Sequence, residues 1–240
     1  MNDANSTVSR GTLTGVGVGP GDPEMVTLKA VRVIRESDVV IIPSASPEKC
    51  RAYQIAAGAY PEIAEKEIVC MPFPMTKDPE VLERKWSEIY ARTDEILASG
   101  KHAAFLIIGD PAVYSTYTYI AARAKKNGYQ TATVSGITSF CAAASACDIP
   151  LSEQEEEIHI IPGSATLEQA VELPGTKIFM KTGSEMDRLK DLLQPKLERG
   201  EIEVYAVSDC GMENEKRFSG TEALEAARYY MTVVIVKTVR

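Results

Sequence analysis

Short apolar runs, each closed by turn-forming residues, recur along the chain up to residue 136: LTGVGV, VVIIP, EIVCMPF, AAFLII and TATVSG. Stretches with helical spacing of apolar positions, among them 79–99 and 114–126, separate them. A continuous apolar run of about five residues suits a strand buried on both faces, and alternation of such strands with helices predicts a parallel sheet covered on each side. The first part of the chain therefore reads as an α/β unit of βαβ type.

Beyond CDIP, residues 147–150, the texture changes to shorter units: EIHIIP, a helix from Thr166, KIFMKTG, a helix from Glu185, EVYAVSDCGM, KRFSGT, a helix from Glu222, and a closing YYMTVVIVKTV. The alternation in KRFSG and the final strand predict a mixed sheet with hairpin pairing. The expected organisation is a flexible tail over 1–10, an N-terminal α/β domain over 11–148 with a mainly parallel sheet, and a C-terminal α/β domain over 149–240.

Composition narrows the function. Of 240 residues, 45% are hydrophobic and 25% charged, ordinary for a globular protein. No apolar run approaches the roughly 20 residues of a membrane span, and the polar segment 1–10 lacks the apolar stretch of a secretory signal, so a cytoplasmic protein is expected. Five cysteines without a CxxC pair point to reduced thiols, and two histidines far apart in sequence argue against a protein-borne metal. A net charge of −8 with no Lys/Arg cluster argues against nucleic acid as a partner. The acidic run EQEEE, 153–157, reads as a solvated loop.

The segment LTGVGVGPGDPEMVTLKAV, 13–31, looks at first like a phosphate cradle. The GxGxxG pattern fails, because starting at Gly15 or Gly17 the third glycine is replaced by Pro20 or Asp22, and an aspartate where a pyrophosphate should sit repels it. No GK[ST] follows either. Asp22 and Pro23 instead read as a helix cap and first helical residue. The glycines at 15, 17, 19 and 21 suggest backbone that something approaches closely. The same strand, Gly-Asp-Pro, helix grammar recurs in IIGDPAVYSTYTY, 107–119, and a third strand end, VSGITSFCAAASA, adds Gly136, Thr138 and Ser139. Open α/β sheets bind ligands at the carboxyl ends of their strands, so three decorated ends in one sheet mark a site.

In this order and spacing, GVGPGDPEMVTLKA, GDPAVYS and SGITSFCAAA resemble the tetrapyrrole methyltransferases, the S-adenosylmethionine enzymes of cobalamin and sirohaem synthesis, over 11–240. GDPAVYSTYTYI resembles the branch that methylates carbon 20 of precorrin-2 or cobalt-factor II, whereas a uroporphyrinogen methyltransferase is expected to read more like GDPFVFGRG. The resemblance implies a homodimer of two-domain chains, with S-adenosylmethionine in the cleft between domains and the macrocycle in a trough above the first sheet. It implies donor contacts at Pro20, Ile108, Gly109, Asp110, Val113, Thr138 and Ser139, and from the second domain at Met180, Ala206 and Thr232. Ser135 departs from the family's usual proline in PGITS and is expected to loosen that turn slightly.

On this reading the acceptor, a polycarboxylate, meets Gly19 and Gly21 and the hydroxyl-rich Tyr114, Ser115, Thr116 and Tyr117, with Lys181 as a further carboxylate partner or simply an exposed lysine. Asp110 is the candidate catalytic base, against the plainer reading of a helix N-cap. Lys49, Arg51 or Arg123 can outweigh the net negative charge locally, since screening acts over about 8 Å. Two rival readings stand beside it: a nucleotide-dependent dehydrogenase or phosphotransferase, and a non-catalytic tetrapyrrole-binding protein. Within the family, methylation of another position of a corrin precursor or of uroporphyrinogen III is the alternative.

Overall fold

The computed structural model describes residues 10–74, 76, 78–226 and 231–239. It divides into two units, Met1–Ile137 and Thr138–Arg240. The expected tail over 1–10 lies outside the described residues except for Arg10, which donates to the Asn127 carbonyl (2.8 Å) with its guanidinium 5.4 Å from the Tyr129 ring centre.

The N-terminal unit is built on five strands, β1 (Thr12–Gly17), β2 (Val39–Ile42), β3 (Glu67–Cys70), β4 (Ala103–Ile107) and β5 (Gln130–Val134), all parallel in the order β3-β2-β4-β1-β5. Its helices are α1 (Leu28–Glu36), α2 (Arg51–Ala59), α3 (Pro79–Ala98) and α4 (Tyr117–Lys126). The continuous apolar runs are explained by burial on both faces. Leu13, Val39, Ile41 and Phe105 pack with Ile96, Leu97, Ile120 and Ala124 of α3 and α4. Their alternating neighbours Val16, Val40, Ile42 and Leu106 are equally buried.

Caps fix where these helices begin. Asp78 accepts from the N–H groups of Glu80 and Val81, with Pro79 at the first helical position of α3. Asp22 caps only a single 3-10 turn, Pro23–Met25, and α1 starts five residues later under Thr27, which accepts from Ala30 N–H (3.2 Å). The expectation that Asp22 starts the long helix is corrected: Val26, extended at ψ 127°, interrupts it.

The C-terminal unit holds α5 (Ser139–Ala146), β6 (Ile158–Pro162), α6 (Leu167–Ala170), β7 (Thr176–Met180), α7 (Met186–Glu198), β8 (Ile202–Ser208), β9 (Lys216–Ser219), α8 (Gly220–Ala226) and β10 (Thr232–Thr238). The sheet order is β6-β7-β10-β8-β9, with β6 and β7 parallel and the other pairs antiparallel. Phe179, Val204, Val234 and Val236 form its core with Leu189 and Leu193 of α7. The division falls ten or so residues before the expected boundary at 148 because α5, with Ala142, Ala143 and Ala144 buried, packs on β8 and β10.

The acidic run 153–157 is not uniformly solvated. The Glu156 side chain is only 8% exposed, pairs with Lys237 (3.4 Å) and accepts from the Thr176 hydroxyl (3.2 Å), which fastens the loop to β7 and β10. Among the described residues no helix is long and apolar enough to cross a membrane.

Candidate functional site

The three decorated strand ends of the N-terminal unit meet through their backbones. Val18 N–H donates to Ile107 O (2.9 Å), and Gly19 and Gly109 exchange two bonds (2.8 and 3.4 Å), so the turn after β1 is stitched to the turn after β4. A Cβ on Gly17 would lie 2.5 Å from Gly109 O and 2.6 Å from Gly136 N, and one on Gly136 would run into the Gly109 carbonyl. Asp110 closes the junction: one carboxylate oxygen accepts from Gly136 N–H (3.1 Å), the other from Ala112 N–H (2.7 Å).

The close approach that the glycines implied is therefore made by the chain itself. Gly19 adds a second requirement, a left-handed φ of 78° that a side chain would strain. Gly19, Pro20 and Gly21 are all buried. Gly19, placed with Gly21 against the substrate by sequence, is held where the loop folds onto the turn after β4. Ile108 and Asp110 stay partly accessible at the same end of the sheet.

The segment after Asp110 is a turn before it is a helix. Val113 N–H returns to Asp110 O (3.1 Å), and Asp110 caps this turn, while α4 starts seven residues later. Tyr114 is exposed at φ 47°, a conformation costly for a bulky residue that is found mostly at functional or tightly determined positions. Ser115, 8% exposed, accepts from Tyr117 N–H (3.2 Å) and thereby caps α4 in place of Thr116. Tyr117 is fully buried, its phenol donating to Ala132 O (2.6 Å) and Leu13 O (3.1 Å), and burial pushes the phenol pKa up. The expected acceptor contact at Tyr117 is thus corrected: its hydroxyl is spent on β1 and β5. Ser115 is likewise committed to the helix start, which leaves Tyr114 and Thr116 as the accessible members of the group.

In the C-terminal unit, Met180, Ala206 and Thr232 fall on the adjacent strands β7, β8 and β10. Met180 sits opposite Val233, and Thr232 opposite Ser208, whose hydroxyls share a 2.7 Å hydrogen bond. Ala206 is completely buried, paired between Val234 and Phe218, with its side chain packed into the unit's core. Lys181 follows β7 in the left-handed region at φ 57° with an exposed side chain. Thr138 and Ser139 open α5. Thr138 makes no side-chain cap bond, and its Oγ1 is buried with no hydrogen-bond partner among the described residues. A buried hydroxyl left unpaired costs on the order of 1–3 kcal/mol unless a bound group satisfies it.

A parallel sheet with ligand-end turns knitted by glycine, followed by a mixed five-stranded unit with an orphan hydroxyl at its first helix, defines a two-unit α/β ligand-binding protein. The chain belongs to the tetrapyrrole (corrin/porphyrin) methylases, whose sequence pattern it matches over residues 12–225. It is 36% identical over 176 residues to the probable cobalt-precorrin-2 C(20)-methyltransferase of Methanocaldococcus jannaschii, covering 73% of this chain and 74% of that one. It is 28% identical over 201 residues to the precorrin-2 C(20)-methyltransferase of Sinorhizobium, covering 78% and 80%. The fold is shared with uroporphyrin-III C-methyl transferase from Thermus thermophilus complexed with S-adenyl homocysteine, at a TM-score of 0.67 and 20% identity over 95% of this chain and 97% of that one.

Proposed function

We propose that the protein methylates carbon 20 of precorrin-2 or cobalt-factor II in cobalamin biosynthesis, with S-adenosylmethionine as donor. The observation that carries this is the 36% identity to a relative of that name across nearly three quarters of both chains. The unpartnered Thr138 hydroxyl fits a polar donor molecule, and Thr138 and Ser139 with Pro20, Ile108, Gly109, Asp110 and Val113 are the residues assigned to hold it, Met180, Ala206 and Thr232 contributing from the mixed sheet. A homodimer in the cytoplasm completes the reading.

The donor supplies a methyl group on a positively charged sulfur. Transfer is an in-line displacement: the C–S bond breaks as the bond to carbon 20 forms, leaving a neutral thioether, and the proton on carbon 20 then departs. What this chain contributes is alignment within about 3–3.5 Å of the reacting atoms, for which a backbone junction is well suited because it has few rotamers to lose. Asp110 is assigned the proton. Its carboxylate is oriented by one peptide N–H on each oxygen, which leaves lone pairs to accept and a negative charge to face the sulfonium.

The test is incubation with a carbon-13-labelled donor and either acceptor, the new methyl being located by mass and carbon-13 spectra. Label on carbon 20 is the expected result. Label elsewhere on the ring sinks the position, and no consumption of donor with any reduced tetrapyrrole favours a non-catalytic binder.

A further inference from the structure

The register of the C-terminal sheet carries its strands one level past their apolar core. Met180 stands opposite Val233 and Val233 opposite Val207, and one step on Thr232 stands opposite Ser208. On the face these two residues share, the next positions along β10 are Val234 and Val236, and those along β8 are Ala206 and Val204, all in the core with Phe179. Ser208 and Thr232 therefore stand where that core ends, next to the strand that delivers Met180. Both are buried, at 2% and 3% exposure, and their hydroxyls lie 2.7 Å apart.

One hydrogen bond does not satisfy two hydroxyls. Each carries one proton, and whichever donates, the receiving oxygen keeps a proton of its own. No other hydrogen bond to either hydroxyl forms among the described residues. The main chain beside them is already closed, Asp209 N–H donating to Met231 O (3.1 Å). The pair is left with a spare O–H shut off from solvent, where an unmet donor costs on the order of 1–3 kcal/mol. Like the Thr138 hydroxyl it asks for a bound group, and a spare proton asks for one that accepts. The bond also fixes geometry. Threonine is branched at Cβ, which restricts χ1, and the bond to Ser208 selects where the Thr232 hydroxyl points.

We infer that Ser208 is a positioning residue of the donor site. It donates to the Thr232 hydroxyl and holds it, and Thr232 gives the spare proton to an acceptor atom of the S-adenosyl group, a ring nitrogen or a ribose oxygen. Ser208 acts through Thr232 and makes no ligand contact itself. The inference rests on the proposed function for the identity of the ligand and for the place of Thr232 beside it.

Calorimetry with S-adenosylhomocysteine reads the pair without turnover, and kinetics on precorrin-2 or cobalt-factor II reads the reaction separately. Ser208→Ala is expected to weaken binding about three- to tenfold and to raise the S-adenosylmethionine KM by the same factor, with kcat and the acceptor KM within about twofold. In a Thr232→Val background the same substitution adds less than about twofold, because no hydroxyl is left to hold. Thr176→Val removes an equally buried hydroxyl about 13 Å away, at the other end of β7, and leaves binding within about twofold. A merely structural role lowers the urea midpoint of Ser208→Ala and leaves affinity where it was. Unchanged affinity in Ser208→Ala, the same loss with and without the Thr232 hydroxyl, an equal loss in Thr176→Val, or no binding by wild type overturns the inference. A wild type that binds S-adenosylhomocysteine through the pair but methylates neither acceptor sinks the proposed reaction and leaves the role of Ser208 standing.

Discussion

The ring of Tyr117 occupies the place a side chain at position 15 would take: a Cβ on Gly15 would lie 2.6 Å from Cδ1 of Tyr117. Beneath the ring the phenol ties Leu13 of β1 to Ala132 of β5. One aromatic residue at the start of α4 thus locks together β1 and β5, two of the strands whose ends form the junction. Gly15→Ala should cost about 1–3 kcal/mol by overpacking, and Tyr117→Ala about 3–5 kcal/mol by leaving a cavity. Tyr117→Phe, which keeps the ring, should cost about 1 kcal/mol. Urea unfolding midpoints check the order, and a Gly15→Ala variant as stable as wild type would contradict this packing.

Asp110 has two readings that kinetics separates. As the base it predicts that Asp110→Ala loses kcat by about 10²–10⁴-fold while S-adenosylhomocysteine affinity changes less than about threefold. As a clamp between Gly136 and Ala112 alone, both quantities fall together. Gly136→Ala is the companion: it forces the Gly109 carbonyl away and should reduce donor affinity and turnover alike.

Thr138→Val removes the buried unpartnered hydroxyl and keeps its shape. Stability is expected to hold or rise, because an unsatisfied polar atom is lost, while S-adenosylhomocysteine binding by calorimetry weakens about 5–20-fold. Unchanged binding would remove Thr138 from the donor site.

Cys210 gives a pH prediction. Burial, with Glu215 beside it, pushes its thiol from an ordinary 9.0 up to about 12, so the folded state keeps a proton that the unfolded chain releases. The stabilisation is complete below about pH 9 and is lost as pH rises toward 12. Unfolding midpoints should therefore fall over that interval, and less steeply in Cys210→Ala. A thiol reagent at pH 8 should reach the exposed Cys70 and Cys141 first, and the buried Cys50 and Cys210 only on unfolding.

Within the acidic run, Glu156→Gln should cost about 1–3 kcal/mol by leaving the shielded Lys237 without its carboxylate, whereas Glu155→Gln should stay within about 0.5 kcal/mol. Equal denaturation midpoints would return the whole run to solvent.

Strands and helices were legible because burial on both faces leaves unbroken apolar runs such as VVII in β2 and AAFLI in β4. The three strand-end turns were legible from their residue types. What sequence did not reveal was who approaches the glycines: close approach of ligand and close approach of backbone ask for the same residue, and only the contacts of Gly17 with Gly109 and Gly136 decide between them. Tyr117 misled for a related reason. Its neighbours Tyr114 and Thr116 are accessible, and nothing in YSTY says which phenol turns inward until Gly15 is seen to leave room for one. The unit boundary shifted because α5 has too few large side chains to declare which core it joins.

A junction made of main chain carries a consequence for redesign. Since Gly17, Gly109 and Gly136 answer to one another, none can drift alone, whereas the segment 111–116 that follows Gly109 leaves this frame as a turn, Val113 N–H returning to Asp110 O. Exchanging that segment between relatives should transplant acceptor preference onto an unaltered frame, making the rim, rather than the strands, the place to engineer.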